Sequence, residues 1–532
     1  MPSTLLLKLH ATEPNLDMKR LWQKKGDVLP QGFSWIVSDK RFLRWQDEHS
    51  SQLLCVKGNP GKGKTMISLG MVNYLSANLQ QSRTLTNLAY FFCQDADDRR
   101  KTAVSVIKGL LWVLVARNSG LECHLQKRFV VKGDSMFEGP ESFDELCEVL
   151  LQIIQDESYE TTIIVIDAID ECNKPDQAML LHCIRATIKE SQHRVKWFIT
   201  SRNSPELERF LLQLRLDQNK SSTSISLEDE QIKVSEAVDA FIDSRIEELA
   251  SLVPYQQMLK QSVGAKLKAK AEGTFLWVSL VCDRLRNVPS WQTEATLEAL
   301  PPGLVPFYNR MLEMIEHSGD SEVVLFCKRV LRTATIAYRP LDLLEIGKLA
   351  GLPDNFCKDT SHTQDLIARC GSFLLIGDQN TVNFVHQSAK EYLGDVCRSR
   401  LGSSQLHDEH LFIARACVGM MNDTLKWNIG GYSSFDHMPI RKVGQDSSAS
   451  SERCDYSVDF WSEHIKQASL GSSLTALMSE SVVEHFIREK LLYWLEYLGS
   501  TNKLSVMSTT LSNLLALPVV CSVNPQVSRS EY

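Results

Sequence analysis

Two kinds of hydrophobic pattern divide the first half of this chain. Short apolar runs at Leu53-Leu54-Cys55-Val56, Leu88-Ala89-Tyr90-Phe91-Phe92-Cys93, Ile163-Ile164-Val165-Ile166 and Val195-Lys196-Trp197-Phe198-Ile199-Thr200 have the length of strands buried on both faces of a parallel sheet. Between them apolar residues recur at helical spacing. Met66, Ile67, Leu69, Met71, Val72, Leu75 and Leu79 follow the first run, and Val104, Ile107, Leu110, Leu111 and Leu114 follow the second. This alternation predicts an α/β fold, a doubly wound parallel sheet spanning residues 49–231, with Ser224-Ile225-Ser226-Leu227 as a fifth strand. Residues 1–48 mix charge with Trp22, Phe33, Trp35, Phe42 and Trp45. They predict short helices packed beside the sheet, too few to make a domain of their own.

From residue 232 the helical period takes over, through Val238, Phe241, Ile242, Ile246 and Leu249, and predicts a small helical domain over 232–318. Helix-like residues 322–337 lead through Tyr338-Arg339-Pro340-Leu341 to another helix over 343–350. Two strand-like runs follow, Phe373-Leu374-Leu375-Ile376 and Val382-Asn383-Phe384-Val385, joined by the turn formers Gly377-Asp378-Gln379-Asn380. Helices followed by a hairpin predict a winged-helix domain over 319–396. Residues 397–532 predict a helical region, with helices over 456–465 and 491–495 and a flexible serine-rich loop at Ser447-Ser448-Ala449-Ser450-Ser451. No self-similarity occurs at repeat periods of roughly 20–50 residues.

Composition narrows the function classes. At 532 residues, with 43% apolar and 23% charged residues, the chain has material for about three or four domains. A net charge of −7 argues against a constitutive nucleic-acid binder, which needs a basic surface. The predicted winged helix also lacks a run of Lys or Arg. The 14 cysteines contain no Cys-x-x-Cys pair, so reduced thiols in a cytoplasmic protein are expected rather than a metal or redox motif. Leu5-Leu6-Leu7 is interrupted by Lys8, too short for a secretory signal, and the most apolar helical stretch, 109–116, falls far short of a membrane span.

The candidate chemistry starts at Gly58-Asn59-Pro60-Gly61-Lys62-Gly63-Lys64-Thr65-Met66. Glycines separated by four residues and followed by Lys-Thr, between a strand and a helix, form a phosphate-binding loop. Its glycines let successive N–H groups converge on phosphate oxygens at a helix N-terminus. Lys64 supplies a charge for the outer phosphates, and Thr65 a hydroxyl for Mg²⁺. The third run delivers Asp167-Ala168-Ile169-Asp170-Glu171 to the carboxyl edge of the sheet, where ligands of open α/β sheets bind. Asp167 is expected to bind Mg²⁺, directly or through water. Asp170 and Glu171 are expected to orient or deprotonate an attacking water, although acidic residues also favour first helical turns. The fourth run ends in Ser201-Arg202, which sets a guanidinium at the same edge to contact a terminal phosphate, unless Arg202 is an ordinary surface residue.

These motifs, with Thr200-Ser201-Arg202 and the lead-in Trp35-Ile36 and Trp45, resemble the NACHT domains of fungal STAND P-loop NTPases, relatives of animal NOD-like receptors and of fungal vegetative (heterokaryon) incompatibility proteins. The likeness continues through Glu272-Gly273-Thr274-Phe275-Leu276-Trp277 and Leu300-Pro301-Pro302-Gly303-Leu304, and covers residues 8 to 499. It implies binding of ATP or GTP with Mg²⁺, slow hydrolysis, an ADP-bound closed state and a triphosphate-bound state that forms homo-oligomers. It further implies that His386 contacts the diphosphate from the winged helix, although a histidine beside a strand also serves as a structural hydrogen-bonding group. Two departures stand out. Most such relatives add an N-terminal effector domain and C-terminal repeats, neither of which is recognisable here, which leaves three alternatives: a minimal family member, a partial gene product, or a protein whose sensor or effector modules are supplied by protein partners. Phe275 stands where many animal relatives have a proline against the adenine.

Two other classes compete with the switch. A small-molecule phosphotransferase would need a polar acceptor pocket that the sequence does not display, and a nucleotide-binding scaffold would bind without turnover.

Overall fold

The computed structural model describes residues 4–10, 12–25, 32–47, 51–81, 85–191, 194–216, 221–252, 255–370, 373–377, 380–396, 398–402, 405–428, 454–470, 486, 488–501 and 503–515. The turn residues Asp378 and Gln379 and the serine-rich loop at 447–451 lie outside them. The chain divides into two compact units, Met1–Phe307 and Tyr308–Tyr532.

In the first unit, strands β1 (Ser51–Lys57), β2 (Thr86–Phe92), β3 (Thr161–Asp167), β4 (Val195–Ser201) and β5 (Ser221–Ser226) form one parallel sheet in the order β2-β3-β4-β1-β5. The chain folds this way because the apolar runs can bury both faces. Leu53, Leu54, Cys55 and Val56 are at most 1% exposed, and every residue of β4 is buried. Register sets Val56 beside Thr200, Ile166 beside Ile199 and Phe92 beside Asp167. The strands therefore end together along one carboxyl edge.

Helix Lys64–Gln81 is more enclosed than a one-sided apolar stripe predicts, since residues 66–72 are all buried, Ser68 and Gly70 included. Phe33 of the N-terminal segment packs against this helix at Gly70. A Cβ at Gly70 would fall 2.2 Å from Cδ1 of Phe33, so only glycine admits that ring. Phe42 and Trp45 are fully buried, which stabilises the packing by about 1.5–3 kcal/mol per side chain. Trp45 meets Phe198 of β4 edge-on, with ring centroids 6.2 Å apart. Lys196, the one charge in the β4 run, donates from Nζ to the Trp45 carbonyl at 2.5 Å, which satisfies an ammonium that burial would otherwise disfavour. Arg41 closes the segment on Asp39 at 2.8 Å and on Glu230, and holds the Asp39 carboxyl well below its ordinary range. Helices Gln231–Leu252, Gln257–Lys270, Phe275–Leu285 and Thr293–Ala299 complete this unit.

The second unit contains a small antiparallel sheet, β6 (Leu341–Asp342), β7 (Leu374–Ile376) and β8 (Thr381–Phe384), in the order β6-β8-β7. Helix Ser321–Ile336 precedes it, and helices Leu343–Leu349 and Thr360–Arg369 lie between its strands in sequence. Asp342 caps helix Leu343–Leu349 in a reciprocal box with Glu345. Glu345 also takes Arg339 in a two-point ion pair at 2.8 and 2.9 Å, and it accepts the backbone N–H of Tyr456 at 3.1 Å. That acceptance ties the C-terminal helices to the small sheet. Helices Leu406–Thr424 and Asp455–Ser469 pack together around a buried chain. His410 Nδ1 meets His464 Nδ1 at 2.8 Å, and His464 Nε2 meets the Tyr456 hydroxyl at 2.8 Å.

Candidate functional site

The phosphate loop leaves β1 with the Gly58 N–H donating to the Ser201 carbonyl at 3.1 Å, which pins the loop to the end of β4. Gly61 and Gly63 take left-handed φ values of +79° and +94°, a conformation that side chains with a Cβ resist. A Cβ at Gly63 would also strike the Phe275 ring at 2.7 Å, and one at Gly61 would strike Thr274 at 2.8 Å. The segment Thr274-Phe275-Leu276 therefore backs the loop from outside. Lys62 donates to the Glu272 carbonyl at 2.8 Å, and the Asn59 N–H donates to Glu228 Oε1 at 2.6 Å. Pro60 is half-buried in the turn of the loop, whereas Met66, 4% exposed, belongs to the core.

Lys64 donates to the Gly58 and Asn59 carbonyls of its own loop at 2.7 and 3.2 Å. Burial lowers its pKa, and the charges of Asp170, Arg202, Asp167 and Glu171 act on it. The structure thus gathers at one edge the residues that the motifs single out separately along the sequence. Asp167, 2% exposed, accepts at Oδ1 from Ser68 Oγ and Thr200 Oγ1, both at 2.7 Å, and its carboxyl also hydrogen-bonds Thr65. Desolvation raises its pKa, and these three hydroxyls oppose the rise.

The two following acids have different surroundings. Asp170 receives the Arg202 backbone N–H at 3.0 Å and Nε at 3.1 Å. Glu171 accepts only a backbone N–H among its recorded hydrogen bonds, from Asp95 at 3.2 Å. Burial, with Asp170 as neighbour, pushes its carboxyl up to about 7, near the operating range of a general base. Ala168, between Asp167 and these acids, is left-handed at φ 53° and ψ 51°. Its N–H donates to Thr200 Oγ1 at 2.8 Å.

His386 lies in the second unit. It caps helix Gln387–Glu391, its Nδ1 accepting the Ser388 N–H at 3.1 Å and facing Ser388 Oγ at 2.8 Å. That geometry leaves Nδ1 as the acceptor nitrogen.

The donor set fits a magnesium nucleotide. A hydroxyl and a carboxylate are hard oxygen ligands, and Mg²⁺ ordinarily uses one or two carboxylates with phosphate oxygens rather than an all-protein cage. Accordingly, no group of three or more His, Cys, Asp or Glu side chains suited to a metal occurs among the described residues. Also among the described residues, no helix is long and apolar enough to cross a membrane. Ser68 and Glu228 have no part in the sequence motifs, and Thr200 enters them only through Thr200-Ser201-Arg202, without a role of its own. Their roles depend on which strands are neighbours, and no local pattern reports that.

Residues 32–202 match the family model described as Nephrocystin 3, N-terminal. The chain is 33% identical over 513 residues, 93% of its length, to the vegetative incompatibility protein HET-E-1 of Podospora anserina. It spans 36% of that relative. Among solved structures it is similar to a Walker-type ATPase of Pyrococcus abyssi, at TM-score 0.32 and 14% identity over 67% of this chain and 94% of that one. It is also similar to the Aeropyrum pernix ORC1 protein solved in complex with DNA, at TM-score 0.32 and 15% identity over 75% of this chain and 97% of that one. The P-loop fold is read from this chain's own strand order and loop.

Proposed function

This chain is a fungal NACHT-like P-loop protein related to vegetative incompatibility proteins, and on that premise we propose that it is a STAND-type switch operated by ATP or GTP. Its ADP-bound form is closed, and its triphosphate-bound form exposes a surface that assembles copies of the chain. The setting is fungal non-self recognition and the cell death that follows it. Partner proteins in the cytoplasm supply sensing and output modules.

The roles follow from the site. The loop from Gly58 to Thr65 cradles the phosphates, and Lys64 leaves its own carbonyls to meet the outer ones. Thr65 and Asp167 would hold Mg²⁺, which would supply neutralisation of the phosphate charge. Glu171 takes the proton of an attacking water. Asp170 acts on Arg202 instead, holding the guanidinium where a terminal phosphate would compete for it. His386 favours the diphosphate state. A ligand shifts such an equilibrium only by its differential affinity for the two states, and Arg202 is the group that distinguishes three phosphates from two.

The Asp170–Arg202 pair beside the phosphate loop carries this reading, because it is an internal partner that a triphosphate can displace. The test is phosphate release and particle size for wild type and Lys64→Ala with ATP and with GTP. Slow release with growth in size, both lost in Lys64→Ala, is expected. Fast turnover only with an added small acceptor would mark a phosphotransferase, and tight binding with neither turnover nor growth would mark a scaffold.

A further inference from the structure

Ser68 sits inside helix Lys64–Gln81, fully buried. A serine in a helix interior ordinarily satisfies its hydroxyl on the carbonyl one turn back. Ser68 instead donates across to Asp167 Oδ1 of β3 at 2.7 Å. Thr200 of β4, also fully buried, donates to that same oxygen at 2.7 Å. The Thr200 hydroxyl has little choice of direction, because its oxygen already accepts the Ala168 N–H at 2.8 Å. Two hydroxyls from different elements, converging on one carboxylate oxygen, fix the plane of the carboxyl and hence the direction of its other oxygen.

We propose that Ser68 and Thr200 are positioning residues for the divalent cation, orienting the Asp167 carboxylate that, with Thr65, would hold it. The inference rests on the reading of the loop as a magnesium-nucleotide site. The physical logic is that of an outer shell, which holds a ligand in the one orientation the metal accepts and whose loss typically costs 10–100-fold in metal affinity. Neither residue touches the nucleotide in this scheme. Their removal should therefore change metal affinity without changing metal-free nucleotide affinity.

The experiment titrates Mn²⁺, followed by electron paramagnetic resonance, into the full chain with a non-hydrolysable ATP analogue, and measures binding of the same analogue in EDTA. Ser68→Ala and Thr200→Val should each bind Mn²⁺ roughly 10–100-fold more weakly. Thr200→Ser, which keeps the hydroxyl, should stay close to wild type, and all should bind the analogue equally in EDTA. Wild-type Mn²⁺ affinity in both Ser68→Ala and Thr200→Val would overturn the proposal, as would a parallel loss of analogue binding in EDTA. A wild-type chain that binds no analogue at all would overturn the nucleotide reading beneath it, an outcome distinguishable from the first two.

Discussion

Asp170 grips Arg202 at two points, its Oδ1 accepting the backbone N–H at 3.0 Å and its Oδ2 facing Nε at 3.1 Å. Through the Nε contact the carboxylate would compete with a terminal phosphate for the guanidinium, and charge-assisted bonds of this kind contribute about 1.5–3 kcal/mol. Asp170→Asn should raise the preference for triphosphate over diphosphate by about tenfold, equivalent to roughly 1.4 kcal/mol. Arg202→Ala should abolish the preference. Titration of a fluorescent ATP and ADP analogue against each variant measures the ratio, and an unchanged ratio in both would remove Arg202 from phosphate sensing.

Glu171, pushed up to about 7 by burial, must be ionised to act as a base. Turnover should therefore rise through pH 7 and level off above it, and Glu171→Gln should lower it by about 10²–10⁴-fold. The same shift has a stability consequence of opposite sense. The folded state holds the proton more tightly than the unfolded state, so stability falls as pH rises from the ordinary carboxyl range through 7. Glu171→Gln, which carries no charge to desolvate, should gain on the order of 1–3 kcal/mol over wild type at pH 8 and nothing at pH 4. A flat difference between the two pH values, read by urea denaturation, would assign the gain to some other cause.

Gly70 and Phe33 share one space. Gly70→Ala would set a methyl 2.2 Å from the Phe33 ring, and overpacking of this kind costs about 1–3 kcal/mol. Adding Phe33→Ala should recover part of that loss. Non-additivity in a double-mutant cycle followed by denaturant unfolding is the readout, and strict additivity would show that the ring and the glycine do not meet.

His464 is buried and uncharged, its pKa lowered to about 3 by desolvation and by His410. Its unfolded counterpart takes a proton near 6.5, so the second unit should lose stability as pH falls from about 6.5 toward 3, by on the order of 3–5 kcal/mol in all. His464→Gln should start less stable, for want of the Tyr456 bond, yet lose less on acidification. Thermal melts between pH 7 and pH 4 separate the two effects. Identical slopes would mean that other groups carry the acid response.

The phosphate loop, the acidic turn and Arg202 were legible because each is a local pattern: a glycine spacing, or an apolar run ended by a charge. The apolar runs themselves gave β1 to β4 for the same reason, and Ser224-Ile225-Ser226 fell within β5. Strand order was not legible. Nothing in Val195 to Thr200 announces that β4 inserts between β1 and β3, yet that insertion alone brings Thr200 to Asp167. Helices Glu122–Lys132 and Ser142–Ile154 lie between the second and third runs, outside the elements that the pattern predicts, although Phe143, Leu146, Val149, Leu150, Ile153 and Ile154 keep a helical period and are all buried. The contact that encloses Gly70 in helix Lys64–Gln81 comes from Phe33, a distant residue that no window around the helix contains.

Ala168 carries one further implication. Its left-handed backbone costs about 1–2 kcal/mol relative to an ordinary conformation, and the Thr200 hydroxyl that receives its N–H holds it there. Glycine, and short polar side chains such as Asn and Asp, adopt such a turn at less cost than alanine, whereas a β-branched residue would be a severe misfit. Sequence drift at this position is therefore confined to alanine, glycine and the few polar residues that tolerate left-handed geometry. The accuracy with which the acids are aimed becomes heritable through a residue that has almost no chemistry of its own.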